Sequence, residues 1–130
     1  MKHADHFTPQ ATDYLEVRNG LQQSVLSYYR DLHRDTKYFR EIRNADWDGA
    51  YLHFLLDRRH VIRYGFSLDQ GRWVGGLQLG IGPEYFSPAY FWSYEDSERF
   101  ADGLDAASVF HNLRLLDEFL ARDGSRPLIV

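Results

Sequence analysis

Cysteine is absent from the 130 residues. Its absence removes disulfides, thiolate catalysis and every zinc or iron–sulfur site built on cysteine, and it suits a protein expected in the cytoplasm. Lysine is scarce too: Lys2 and Lys37 stand against 13 arginines among the 15 basic residues. A GC-rich coding genome explains that bias as well as any arginine chemistry, so it points to no function. No stretch reaches the roughly 18 uninterrupted apolar residues that a membrane helix needs. The first thirty residues lack a basic head followed by an apolar run, so no secretory leader is expected. Positive charge is in deficit overall: a formal charge of −4 and a pI near 5.8 argue against nucleic acid as a partner, because phosphate binding needs a basic face.

Catalytic signatures are missing as well. Six histidines invite a metal or acid–base reading, but no HExxH or comparable ligand set occurs. His3 and His6 flank Asp5 in a terminus, residues 1–7, that reads as disordered. His33, His60 and His111 read as surface or half-buried histidines, and His53, inside an apolar run, is the one to check for a buried carboxylate neighbour. No serine lies in GxSxG or SxxK. Gly75, Gly76, Gly80 and Gly82 imitate a phosphate loop, yet no lysine follows them and they fall inside a strand pattern, so they are structural. No cofactor or metal is expected, and the chain reads as non-enzymatic.

What is present is a fold. A length of 130 residues with 44% hydrophobic and 26% charged residues describes one domain with a real core. Thr8-Pro9 is a helix entry. Tyr14, Val17, Leu21, Val25, Tyr28 and Leu32 then recur every three or four residues, and Phe39 and Ile42 keep the phase. The stripe fits one helix from about Pro9 to Arg43, or two broken near His33 to Thr36. Asn44 to Gly49 is rich in turn residues. Tyr51 to Leu56 reads as a strand, and alternation predicts two more: Ile62, Tyr64, Phe66 and Leu68 on one face, then Trp73, Leu77, Leu79 and Ile81. Asp69 to Arg72 is expected as a four-residue hairpin loop between them. Gly76 and Gly80 strip the opposite face, where a packed helix is expected to approach. Ala89 to Tyr94 is a fourth strand candidate, and Ser97 to Gly103 a short helical turn. Asp105 caps a last helix carrying Val109, Leu113, Leu116 and Leu120, which Gly124 and Pro127 end. The order is an N-terminal helix or helix pair, an antiparallel meander of three to four strands and a C-terminal helix: an α+β domain of two layers.

One segment departs from this ordinary pattern. PEYFSPAYFWSYEDSERFADGLD, residues 83–105, holds seven aromatic residues and six carboxylates against the single base Arg99, a formal charge of −5. Glu95, Asp96 and Glu98 match no acid–base or cation-binding spacing, and read as a solvated acidic edge. A structural account puts Phe86, Phe91, Phe100 and Trp92 in the core and lets Asp102 and Asp105 favour the helix dipole. The functional account starts from alternation: with Phe91 inward, Tyr90, Trp92 and Tyr94 point outward together. Exposed Tyr and Trp concentrate binding energy, and Glu84, Glu95, Asp96 and Glu98 would form a charged rim steering a basic partner onto them. Asp46-Trp47-Asp48 repeats the theme.

In size, acidity and the EYFSPAYFWSYEDSE surface, the chain resembles the immunity proteins that bacteria pair with toxins of contact-dependent or type VI secretion systems. The resemblance is one of class, carried by no motif, and it transfers no functional residue. It implies that a cognate basic toxin, for example a nuclease, is inhibited by occlusion of its active site. Two other readings stand beside it. A small acidic secretion or assembly chaperone would dimerise and hold an extended segment. A small enzyme or ligand-binding domain would gather polar groups in a pocket between helices and sheet, with His53, Arg63 and Tyr64 nearest. An exposed aromatic face equally suits a homodimer, so the oligomeric state stays open between monomer and dimer.

Overall fold

A computed structural model describes residues 11–32, 46–55 and 61–123. Helix α1 (Ala11–Ser27) runs into a π-helical turn at Tyr28–Leu32. Five strands follow: β1 (Asp46–Asp48), β2 (Tyr51–Leu55), β3 (Val61–Asp69), β4 (Arg72–Ile81) and β5 (Glu84–Phe86). A one-turn helix α2 (Tyr94–Ser97) precedes the long C-terminal helix α3 (Ala106–Asp123). The strands form one antiparallel sheet in the order β1-β2-β3-β4-β5. The α+β meander expected from alternation is therefore present, lengthened at both edges by three-residue strands. The Thr8-Pro9 entry, the continuation through Phe39 and Ile42, and the Gly124 and Pro127 stop lie outside the described residues.

Tight turns set the register. Gln70 (φ 52°) and Gly71 (φ 79°) both occupy the left-handed region, the requirement of a type I′ hairpin. Asp69 and Arg72 consequently pair with each other, and the loop has two residues rather than the four expected. Gly49 and Gly82 supply the positive φ in the β1–β2 and β4–β5 turns.

Because side chains alternate along a strand, this register puts Leu52, Phe54, Ile62, Tyr64, Phe66, Leu77 and Leu79 on one face, where all are buried. Both long helices cover that face. Leu21, Val25 and Tyr28 of the α1 stripe, and Val109, Leu113, Leu116 and Leu120 of α3, are buried in the same core. Each such aliphatic side chain contributes about 1.5–3 kcal/mol by leaving water. The Tyr28 hydroxyl donates to an Asp117 carboxylate oxygen at 3.0 Å, joining the end of α1 to the middle of α3. Asp105 caps α3 as expected: its carboxylate accepts from the Ser108 backbone N–H (3.3 Å) and hydroxyl (2.7 Å).

Residues 89–94 are not a strand. Pro88 fixes the first φ of a 3-10 turn at Pro88–Tyr90, and the backbone N–H groups of Phe91 and Trp92 both donate to the Pro88 carbonyl at 3.0 Å. Ser93 then caps α2, its hydroxyl accepting from Asp96 N–H at 3.1 Å. The helical turn expected at Ser97 to Gly103 thus lies three residues earlier. Residues 101–104 run instead along β4, where Gly75 N–H donates to the Asp102 carbonyl at 2.8 Å.

Candidate functional site

The loss of strand geometry at 89–94 redraws the acidic aromatic segment. In a tight turn neighbouring side chains no longer take opposite sides, so Phe91 and Trp92 both enter the core. Trp92 is 2% exposed and packs on Phe119 and Phe91 at centroid separations of 5.2 and 5.7 Å. The outward Tyr90-Trp92-Tyr94 trio expected from alternation is corrected to a pair. Tyr90, 40% exposed, stacks on Phe86 at 4.3 Å with an 18° tilt. Tyr94 on α2 is 75% exposed, the most open of the large hydrophobic side chains described.

The carboxylates of the segment divide by what they touch. Asp96 meets Arg122 at 3.0 Å and Arg99 at 3.8 Å, tying α2 to the last turn of α3. Asp102 meets Arg72 at 3.0 Å across an exposed surface. Asp105 is the α3 cap, and the Ser108 hydroxyl and N–H hold its carboxyl below the usual range. Glu84, Glu95 and Glu98 are exposed and have no ion-pair partner among the described residues. Three acids therefore do local structural work, and three exposed glutamates share this segment with the exposed Tyr90 and Tyr94. The side chains of Asp46, Trp47 and Asp48 lie outside the described set.

A second constellation occupies the face of the sheet that the described helices leave uncovered. Of the two glycines where a helix was expected, Gly80 is approached by the Tyr85 ring and Gly76 by nothing within 4 Å, while a second ring, Tyr51, lies over Gly65. A Cβ on Gly65 would fall 2.5 Å from Cδ1 and Cε1 of Tyr51, and one on Gly80 would fall 3.2 Å from Cε1 of Tyr85. The two rings flank Arg63, whose Cζ lies 4.0 Å from the Tyr51 centroid and 4.3 Å from that of Tyr85. Arg63 Nε donates to Gln78 Oε1 at 2.7 Å. His53 stands opposite Arg63 in register and 5.5 Å from the Tyr85 ring. His53 pairs in register with Asp46 of β1, whose side chain lies outside the described set, and its buried Nε2 makes no hydrogen bond.

Between these two regions an open cleft of about 370 Å³ is bordered by Tyr51, Gly76, Gln78, Ser87, Ser97 and Phe100. Asn112 reaches it from α3, and its amide donates to the Tyr64 hydroxyl at 2.7 Å. Burial pushes the Tyr64 phenol up to about 12, with the Asn112 bond acting against it. His53, Arg63 and Tyr64, expected to converge in one pocket, are divided by the sheet: Tyr64 faces the core, and the other two face outward. Asn112 went unrecognised in the sequence although it interrupts the apolar stripe of α3 at a core position. That interruption was the available signal. His111 is exposed, with Nε2 2.8 Å from the Arg99 carbonyl; His3, His6, His33 and His60 lie outside the described residues. Among the described residues there is no group of three or more metal-binding side chains and no helix long and apolar enough to cross a membrane. No protein-family model, curated protein or solved structure matches the chain.

Proposed function

We propose that the chain is a non-enzymatic binding protein that docks a basic protein surface, as an immunity-type inhibitor of a toxin domain would do in the bacterial cytoplasm. The observation that carries this reading is Tyr94, exposed by 75% and followed on the same segment by Glu95 and Glu98, which have no ion-pair partner among the described residues. A tyrosine offers a large rigid contact area at small entropic cost, and unpaired carboxylates around it raise the encounter rate with a cationic partner. Tyr90 extends the apolar area, held in place by its stack on Phe86. Trp92 has no direct part; it supports the turn that presents its neighbours. A lysine- and arginine-lined cleft, such as a nuclease uses for its substrate, has the complementary charge.

Capture from the native organism's lysate, by the wild type and by a Tyr94→Ala, Glu95→Lys variant, tests the reading once the captured protein is purified and recombined. A one-to-one complex with a basic protein, weakened at least about tenfold in the variant, supports it. Equal retention by both, or a wild type that only forms homodimers through this rim, overturns it.

A further inference from the structure

We propose that Arg63 is the centre of an oxyanion-binding site for a small carboxylated or phosphorylated molecule, on the outer face of the sheet and separate from the acidic rim. Three observations converge on it. First, the guanidinium is preorganised. Tyr51 and Tyr85 cover it at 4.0 and 4.3 Å, and Gln78 engages Nε at 2.7 Å. Stacking and one fixed hydrogen bond hold the planar group in place, so little rotamer freedom is left to lose when a ligand binds. The glycines make this possible, because a side chain on Gly65 or Gly80 would displace the rings.

Second, the donor edge is unused. Nη1 and Nη2 have no hydrogen-bond or ion-pair partner among the described residues. The neighbouring rows of this face carry Tyr51, Gly65 and Gly76 on one side and Val61, Gly80 and Tyr85 on the other. In these rows and in the row of Arg63 itself the acids are confined to the edge strand β1, where Asp48 pairs with Tyr51 and Asp46 with His53, two strands away from Arg63. A fork of N–H groups with fixed spacing matches the two oxygens of a carboxylate or phosphate.

Third, a second polar group beside it lacks a partner. His53 pairs with Arg63 across β2 and β3 at a position without direct ladder bonds, where side chains lie closest. Its buried Nε2 makes no hydrogen bond, a cost that protein interiors rarely leave unmet. An oxyanion on the Arg63 edge would offer Nε2–H the acceptor it lacks. The cleft supplies room for the rest of the molecule: it shares Tyr51 and Gln78 with the clamp, Gly76 leaves its floor open, Ser87 contributes a hydroxyl, and the carboxylate of Asp102 on its border is paired with Arg72.

The test is a titration of the full ¹⁵N-labelled chain with sodium phosphate, sodium acetate or sodium chloride at matched ionic strength, following the Arg63 Nε–H and Gln78 amide resonances. Saturable shifts with phosphate alone assign a phosphorylated ligand, with acetate alone a carboxylated one, and with both the shared oxyanion chemistry. Arg63→Gln is expected to abolish saturation, His53→Ala to weaken it about tenfold, and Arg114→Gln, on the exposed side of α3, to change nothing. Shifts that grow linearly and equally in all three salts overturn the site and leave the clamp as cladding for the sheet. Should Arg63→Gln fail to fold, the wild-type titration still decides.

Discussion

The side-chain amide of Asn112 pairs with the backbone of Ala101 as a strand residue would: Ala101 N–H donates to Oδ1 at 2.7 Å and Nδ2 donates to the Ala101 carbonyl at 2.8 Å. The second Nδ2 hydrogen goes to the Tyr64 hydroxyl. One fully buried amide thus joins α3, the 101–104 segment and the sheet. Asn112→Ala would leave three polar groups without partners, and a loss of about 2–4 kcal/mol in urea unfolding is expected. Tyr64→Phe should cost less, and the double variant less than the sum, because both remove the same bond. Strict additivity would show that the amide and the phenol act independently.

Alkaline pH should unfold the protein before any arginine titrates. The phenol of Tyr64 is raised to about 12 from an ordinary 10 by burial, and Tyr28 is raised further by burial and by the Asp117 charge beside it. A phenol whose folded value is raised contributes full stability below pH 10 and loses it as pH climbs through the folded value. Tyr64 alone accounts for about 3 kcal/mol of that loss between pH 10 and 12. Stability measured by urea at pH 9, 10 and 11 should fall, and the fall should be smaller in Tyr64→Phe. Asp105 works in the opposite window: its lowered carboxyl supports folding above the ordinary carboxylate range and ceases to do so as pH drops through its folded value. A flat profile from pH 9 to 11 would contradict the burial of both phenols.

Trp92→Ala should destabilise by about 3–5 kcal/mol, the usual cost of emptying a buried aromatic site. Trp92→Phe should cost far less, because it also deletes an indole N–H that is buried with no acceptor. Thermal unfolding of the two variants separates these outcomes. Similar melting temperatures for Trp92→Ala and wild type would return Trp92 to the surface.

Alternation and helical phase were legible where the chain follows one regular period. The α1 and α3 stripes and the inner faces of β3 and β4 lie as the sequence reads, save that Ile81 at the end of β4 is 40% exposed, since burial of a continuous face leaves each register one solution. The 83–100 stretch was not legible by the same route. Alternation in AYFWSY is a valid strand pattern, but Pro88 and the Ser93 cap commit the backbone to turns, and local capping overrides the period. The Arg63 clamp escaped for a different reason. Its parts come from four strands, and only the register shows that Gly65 and Gly80 lie beneath Tyr51 and Tyr85.

Charge reversal should sort the acids of the rim by role. Asp96 is half-buried against Arg122 and Arg99, so Asp96→Lys removes two ion pairs and places like charges together. A stability loss of about 1 kcal/mol is expected, discounted for the partial exposure of all three groups. Glu95→Lys and Glu98→Lys touch no ion pair among the described residues and should leave the melting temperature unchanged. Their effect belongs to association: with a basic partner, each reversal should slow binding, with little change in dissociation, and raised salt should shrink the difference from wild type. If Glu95→Lys and Glu98→Lys speed dissociation as strongly as they slow association, these glutamates are buried in the complex, and the docking surface extends over α2 instead of being rimmed by it.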